Sequence, residues 1–374
     1  MQHKILFYSE GWGLGGIERF VMNTVEYLNP AKFTFDIYCT HDWDQGYDAQ
    51  IRMLGGHRYV SFPQEKPNLM KRLIVSTRAW GQLLRDKHYD IVHINTMNGV
   101  GLIYAQIAAM HKVPCIVVHS HNSQFGSGMY AMKQISHDLC KFLYGNVATD
   151  RLACSQEAGR YLFDNHSFDI IPNGTNTNIF RYSEIERKRV RKVLNIPDDA
   201  IVFGNVARLA EAKNPLFQLQ ILKKIKEHGR EAYLLLVGAG ALKDDILRTA
   251  DDYGLTSFVR LPGTSYDPQI YYSALDVFTM PSVYEGFPMV IAEAASCGLP
   301  CLLSPAVPRL QDVIISQRRL SLDNPETWAK LIINLARSIT KENRLKAWQI
   351  IEQSKYSSIA TVRHLESIYL RCFQ

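Results

Sequence analysis

The chain has 374 residues, 47% hydrophobic and 21% charged, which suits two ordinary domains better than one and excludes a disordered polymer. Its formal charge of +6 is a mild basic excess. That suits anionic substrates or an anionic membrane face, and it falls short of the dense basic stripe of a nucleic-acid binder.

A strand over Lys4–Ser9 leads into the glycine-rich loop Gly11-Trp-Gly13-Leu-Gly15-Gly16, and a helix pattern runs from Ile17 to Leu28. Short apolar strands follow at Phe35–Cys39, Ile91–Ile94, Cys115–His119 and Arg151–Cys154, with helix patterns over Leu69–Arg85 and Val100–Met110. Strands alternating with helices predict a parallel sheet covered on both faces. The turn sequence Ile171-Pro-Asn-Gly174-Thr-Asn and the charged helix Glu184–Lys192 then mark a domain boundary. Strands return at Ile201–Ala207, Ala232–Val237, Val259–Leu261, Val277–Met280 and Pro300–Ser304. Helices are expected at Pro215–His228, Ala241–Tyr253, Pro268–Leu275 and Pro288–Ser296, and through the remainder. The expected fold class is α/β, with two successive doubly wound, Rossmann-like domains over residues 1–172 and 173–356. Ligand is expected at the C-terminal ends of the strands.

The seven cysteines are scattered, lack a CxxC pair and mostly sit in apolar stretches. They are expected to be buried reduced thiols in a reducing compartment. The N-terminus shows no basic-plus-apolar leader, and no stretch is long enough to cross a bilayer. A cytoplasmic protein is expected, at most attached to the inner face of the membrane. One helix invites that attachment. Lys66, Lys71, Arg72, Arg78, Arg85 and Lys87 stand against Asp86 over the amphipathic run Leu69, Leu73, Ile74, Trp80 and Leu83. Such a helix lies on an anionic membrane or is an ordinary solvated surface helix.

Three constellations could carry chemistry. Gly11 to Gly16 matches the GxGxxG pattern of dinucleotide binding, which also wants an acid at the end of the second strand. Asp36 and Asp42 straddle that point without occupying it. The same glycines would equally let helix N–H groups approach another anion, or simply make a tight turn. Next, Gly204-Asn205-Val-Ala-Arg208 leads through Lys213 to the Pro215 helix, so a guanidinium, an ammonium and a helix N-terminus share one loop. That is a diphosphate clamp, where an isolated Arg or Lys would be only a solvated charge. Last, Glu285 precedes a helix whose apolar run contains Glu293. Glu285 could serve as a helix cap; Glu293, if unpaired there, would be costly and would be relieved by bound hydroxyls.

These residues resemble the retaining glycosyltransferases of family four, which have the GT-B fold of two Rossmann-like domains facing across a cleft. Glu285 to Glu293 is similar to the family's Glu-x7-Glu motif. Its companions stand in the family's order: Gly15-Gly16, Ile171-Pro-Asn-Gly174, Arg208 with Lys213, and Cys297-Gly-Leu-Pro-Cys301. His119-Ser-His121-Asn122 looks most like the branch that builds capsular and exopolysaccharides. Pro288 departs from the glycine of many relatives and removes one N–H from the donor-sugar loop.

The resemblance implies roles residue by residue. Arg208 and Lys213 would neutralise the diphosphate leaving group. Glu293 would hold ribose hydroxyls, and Glu285 hydroxyls of the donor sugar. Asn205, Gly286, Phe287, Pro288, Met289 and Val290 would line the donor site, with Leu261 and Gly263 beside the base. Gly15 and Gly16 would let the first loop approach the diphosphate. His121, or its neighbour His119, would sit near the anomeric carbon; on a strand both face one side. The resemblance further implies that a terminal helix, about residues 357–374, packs back on the first domain. It implies a nucleotide-sugar donor, commonly UDP-linked, and a glycan or lipid-linked acceptor bound by the first domain. It implies retention of configuration, no metal and no other cofactor; no nucleic-acid partner is expected. An NAD(P)-dependent oxidoreductase using Gly11 to Gly16, and a non-catalytic nucleotide-sugar-binding protein, are the competing readings.

Overall fold

Period-two alternation in the strands sends successive side chains to opposite faces, so each strand must be covered on both sides. The computed structural model describes residues 2–124, 130–285, 289–308, 310, 313 and 317–374. The chain divides into two units: Met1–Gly174 with Ser358–Gln374, and Thr175–Ser357.

The first unit runs β1 (His3–Trp12), α1 (Gly16–Tyr27), β2 (Phe33–Asp42), α2 (Asp48–Met53), β3 (Arg58–Phe62), α3 (Leu69–Lys87) and β4 (Ile91–Thr96). It continues with α4 (Gly101–Met110), β5 (Cys115–Ser120), α5 (Tyr130–Tyr144), β6 (Asp150–Ala153), α6 (Gln156–Phe163) and β7 (Asp169–Ile170). The strands form one parallel sheet in the order β3-β2-β1-β4-β5-β6-β7. Ile5 and Phe7 of β1 face a core built with Phe20, Val21 and Val25 of α1. Leu6 and Tyr8 face the other core, with Trp80 and Leu84 of α3 and Tyr104 of α4.

The second unit holds α7 (Glu184–Val193), β8 (Ile201–Val206), α8 (Pro215–Glu227), β9 (Ala232–Val237), α9 (Lys243–Asp252), β10 (Val259–Gly263), α10 (Gln269–Ala274) and β11 (Val277–Met280). Then come α11 (Met289–Ser296), β12 (Cys301–Leu303), β13 (Gln317–Arg319), α12 (Pro325–Ser338) and α13 (Lys341–Glu352). Its parallel sheet runs β10-β9-β8-β11-β12-β13. Val202 and Phe278 face one core, Phe203 and Val277 the other. The last helix, α14 (Ser358–Arg371), belongs to the first unit, where Val362, Leu365, Ile368 and Tyr369 join the core beside α1.

Several expectations are corrected. The first strand does not stop at Ser9, because Gly11 and Trp12 still pair with His41 and Asp42 of β2. The remainder after β12 is not all helix: β13 pairs in parallel with β12. Its Gln-Arg-Arg sequence is a polar edge strand, invisible to a search for apolar runs. Nor are all cysteines free thiols. Cys115 at the start of β5 and Cys372 after α14 form a disulfide, with Cα atoms 5.6 Å apart. Cys39, Cys140, Cys154, Cys297 and Cys301 are free and buried. The basic side chains of α3 are partly engaged, Arg72 with Glu10 at 2.8 Å and Lys71 with Glu65 at 3.4 Å. No described helix is long and apolar enough to cross a membrane.

Candidate functional site

In the second unit the C-terminal ends of β10, β9, β8 and β11 stand side by side, and their loops are laced together. Gly238 donates to the Gly263 carbonyl at 2.8 Å, and Leu209 donates to Ala239 at 3.0 Å. Val283 donates to Ala212 at 2.9 Å and so ties the loop after β8 to the loop after β11. Gly238 and Gly240 are required here, since a Cβ on either would strike the carbonyls of Ala207 and Leu209. The lacing fixes where Arg208 and Lys213 begin. Arg208 is exposed, and no described residue pairs with its guanidinium. Lys213 ends a short 3-10 turn just before α8, and its ammonium meets the Glu285 carboxylate at 2.5 Å.

Leu261 and Gly263 close β10, and Met289 and Val290 open α11. Gly286, Phe287 and Pro288 lie outside the described residues. Glu293 is 2% exposed in the second turn of α11. It is not an unpaired carboxylate: Tyr272 of α10, itself buried, donates its hydroxyl to Oε2 at 2.6 Å. Relief that was expected from bound hydroxyls thus comes in part from the protein itself, through a tyrosine hydroxyl.

On the elements that carry the clamp loop, the structure adds buried polar groups to Asn205 that the sequence did not single out. Gln218 of α8 accepts from Thr279 of β11 at 2.6 Å, and Phe278 is in register with Gly204. Asn205 Nδ2, Gln218 Nε2 and Ser282 Oγ are buried without a hydrogen-bond partner among the described residues. Buried donors without partners are rare, and such a group marks a place for water or a polar ligand. The sequence signal for Gln218 was weak, a single amide within an otherwise apolar helix face.

In the first unit, β1, β4 and β5 are neighbours and their C-terminal ends carry the second cluster. His119 is fully buried, whereas His121, just past β5, is half-buried; their rings lie 4.0 Å apart. Phe20 packs on both. His121 Nε2 meets Asn95 Oδ1 at 2.9 Å, while Asn95 Nδ2 donates to the Tyr8 carbonyl. That places the proton on Nε2, while Nδ1 is buried without a hydrogen-bond partner among the described residues and has the Asn173 side chain near it. His119 Nδ1 meets His93 Nε2 at 3.3 Å, and His93 Nδ1 meets the Tyr369 hydroxyl at 2.6 Å. Burial pushes His93 and His121 down to about 3, and His119 well below the usual imidazole value. All three are neutral at neutral pH. His93 and Tyr369 are members that sequence reasoning missed, because they lie far from His119 along the chain.

The glycine-rich loop is not one phosphate cradle. A Cβ on Gly11 or Gly13 would strike the Trp43 indole, so these two glycines make room for a side chain. Gly15 caps α1 and leaves space for the Glu18 carboxylate, while a Cβ on Gly16 would meet nothing within 4 Å. The acids that a dinucleotide site would need are engaged elsewhere. Asp36 accepts from Tyr89 and the His57 amide and pairs with Lys4, and Asp42 holds Arg58 at 2.7 Å. The oxidoreductase reading loses its ribose anchor.

Comparison with known proteins gives a consistent answer. The family model described as Glycosyltransferase Family 4 matches residues 14–179, and that described as Glycosyl transferases group 1 matches residues 186–351. A putative glycosyltransferase, EpsF of Bacillus subtilis, is 29% identical over 98% of this chain and 96% of its own length. An Escherichia coli UDP-Gal:alpha-D-GlcNAc-diphosphoundecaprenol alpha-1,3-galactosyltransferase is 29% identical over 78% of this chain and 76% of its own. Among solved structures, Anabaena HepE in complex with UDP and glucose superposes with a TM-score of 0.80. It is 17% identical and covers 99% of this chain and 100% of that one, a likeness of fold.

Proposed function

As the chain belongs to the group 1 and family four glycosyltransferases and has their GT-B fold, we propose that it transfers a sugar from a UDP-sugar, with retention, to a lipid-linked or glycan acceptor in surface polysaccharide synthesis. The donor reading is supported by HepE, solved with UDP and glucose, and by the E. coli relative, named for UDP-Gal. The acceptor reading is supported by that relative's diphosphoundecaprenol substrate.

One observation carries the assignment of roles: Glu285, after β11, pairs with Lys213 of the loop after β8, which also presents an exposed Arg208. Bond breaking at the anomeric carbon leaves negative charge on the diphosphate. Arg208, Lys213 and the N-terminus of α8 are positive groups fixed where that charge would develop. Donor binding draws the Lys213 ammonium toward phosphate and frees the Glu285 carboxylate for a sugar hydroxyl. Asn205 Nδ2 on β8 and Ser282 Oγ after β11 are further donors with no partner among the described residues. Glu293 uses its remaining capacity on ribose. In the first unit, His121 is the side chain nearest the anomeric carbon, and His119 packs against its ring. Fixed cations of this kind carry the leaving-group charge without a metal, so turnover should survive EDTA.

The test is direct. UDP should raise the melting temperature more than NAD or NADP. Arg208→Ala and Lys213→Ala should each lower kcat about a hundredfold, as for other lost charge-stabilising donors. Near-normal transfer in both variants, or stabilisation by NAD alone, would reject this reading.

A further inference from the structure

The N-terminal ends of β5 and β6, away from His119 and His121, hold chemistry that the proposed transfer reaction does not use. Cys115 opens β5, and Asp150 opens β6, the next strand of the sheet. Cys372 comes just after α14. The two sulfurs and the Asp150 carboxylate lie within 4.8 Å of one another, the one such group of three metal-ligating side chains among the described residues. Cys115 is buried, whereas Asp150 and Cys372 are half-buried, so solvent reaches the group.

Each member is held by contacts of its own. Arg371 donates to Asp150 Oδ1 at 3.2 Å, while Oδ2 lies 3.4 Å from Cys372 Sγ. Arg371 also pairs with Asp169 at 3.0 Å, and the Phe373 ring stacks on His3 with centroids 4.0 Å apart. Residues on both sides of Cys372 are thereby anchored to the sheet. The Cα atoms of Cys115 and Cys372 are 5.6 Å apart. Zinc–sulfur bonds of tetrahedral geometry set two sulfurs about 3.8 Å apart. Side-chain rotation reaches that separation with the backbone in place.

The disulfide is one state of this pair, and the reducing compartment expected from the cysteine pattern would open it. We propose that the reduced pair and Asp150 bind a zinc ion, so that α14 is fastened to β5 and β6 in either redox state. A sulfur–sulfur bond does this when the pair is oxidised, and the metal does it when the pair is reduced. Opening the bond takes two electrons and two protons from a dithiol, which itself closes to a disulfide. Zinc then displaces one proton from each thiol to solvent as two zinc–sulfur bonds form. A solvent oxygen takes the fourth position. Two thiolates and a carboxylate leave one net negative charge around the dication, and the Arg371 guanidinium stands beside it. Thiolates select zinc over magnesium or calcium, which prefer oxygen ligands throughout. The ion's place at the strand starts keeps it out of the transfer chemistry proposed above, on which this inference does not depend.

The experiment is a titration of the full chain, reduced and freed of metal with EDTA, with cobalt(II) as a coloured stand-in for zinc. One equivalent should give a sulfur-to-cobalt charge-transfer band in the near ultraviolet, and zinc should bleach it. The oxidised chain should give no band. Zinc should raise the melting temperature of the reduced chain by a few degrees, and EDTA should reverse the gain. Asp150→Asn keeps both sulfurs and should weaken zinc binding at least about tenfold. Cys372→Ser should abolish the band; in EDTA its melt should match that of the reduced wild type, which checks that it is folded. A reduced wild-type chain with no band overturns the proposal. So does a band that persists in Cys372→Ser, which would assign the metal to other thiols, or an Asp150→Asn variant that binds zinc as tightly as the wild type.

Discussion

Glu293 and Tyr272 show how much a single hydroxyl decides. The carboxylate is buried, and a buried charge without donors is strongly disfavoured. Tyr272→Phe removes one donor, at 2.6 Å, and leaves the shape intact. It should lower stability by about 1–3 kcal/mol in a urea melt and raise the donor KM more than it lowers kcat. Equal stability of the variant would mean that other contacts satisfy the carboxylate. The three histidines set a pH dependence. His93 and His121 titrate near 3 in the folded chain, and His119 is also depressed, whereas each titrates near 6.5 when unfolded. Below that value the unfolded chain binds more protons. Their contribution is thus complete above about pH 6.5 and is lost as pH falls toward 3, at up to about 1.4 kcal/mol per pH unit for each histidine. Urea midpoints measured from pH 7 to pH 5 should fall, and His93→Gln should flatten the slope. An unchanged slope would show that these rings are solvated.

At the scale of elements, the loop between β1 and α1 is shaped by an aromatic ring from beyond β2. A methyl group on Gly13 would occupy the place of the Trp43 indole, which is itself 59% exposed. Gly13→Ala should therefore destabilise the first unit, and Trp43→Ala should relieve the effect. A double-mutant cycle by thermal melt should give a coupling of about 0.5–3 kcal/mol; additive effects would place the ring elsewhere. This pair also shows where sequence reading stops. Gly11 and Gly13 matched a phosphate-binding pattern letter for letter, yet their space is claimed by a residue whose position only the register of β1 on β2 reveals. The strands with apolar runs, β4, β5, β9 and β11, were legible because burial on both faces demands such runs. β3 and β13 were not, since edge strands are short and polar. Arg208, Lys213 and Glu285 were legible as strand-end residues, whereas the Lys213–Glu285 contact depends on two loops laced by Val283 and Ala212. Gln218 and His93 gave no such cue, because their meaning lies wholly in what packs against them.

For the whole molecule, connectivity matters more than composition. The second unit is one continuous stretch, Thr175–Ser357, but the first is assembled from Met1–Gly174 and the last residues of the chain. α14 fills its core with Val362, Leu365, Ile368 and Tyr369, and the disulfide joins residues 257 apart in sequence. A crosslink over so long a loop should contribute about 2–5 kcal/mol. Adding reductant, or Cys372→Ala, should accordingly lower the melting temperature of the wild-type chain. A reductant-insensitive melt would count against the bond. Tyr369 also reaches His93, so the end of the chain touches the histidine cluster. During synthesis this reverses the usual order, in which the N-terminal domain folds first. The first unit leaves the ribosome early but lacks a helix, a tyrosine and a sulfur until Ser358 to Cys372 have been made. The second unit has by then emerged whole and is free to fold, so the half of the protein made first is the half that must wait.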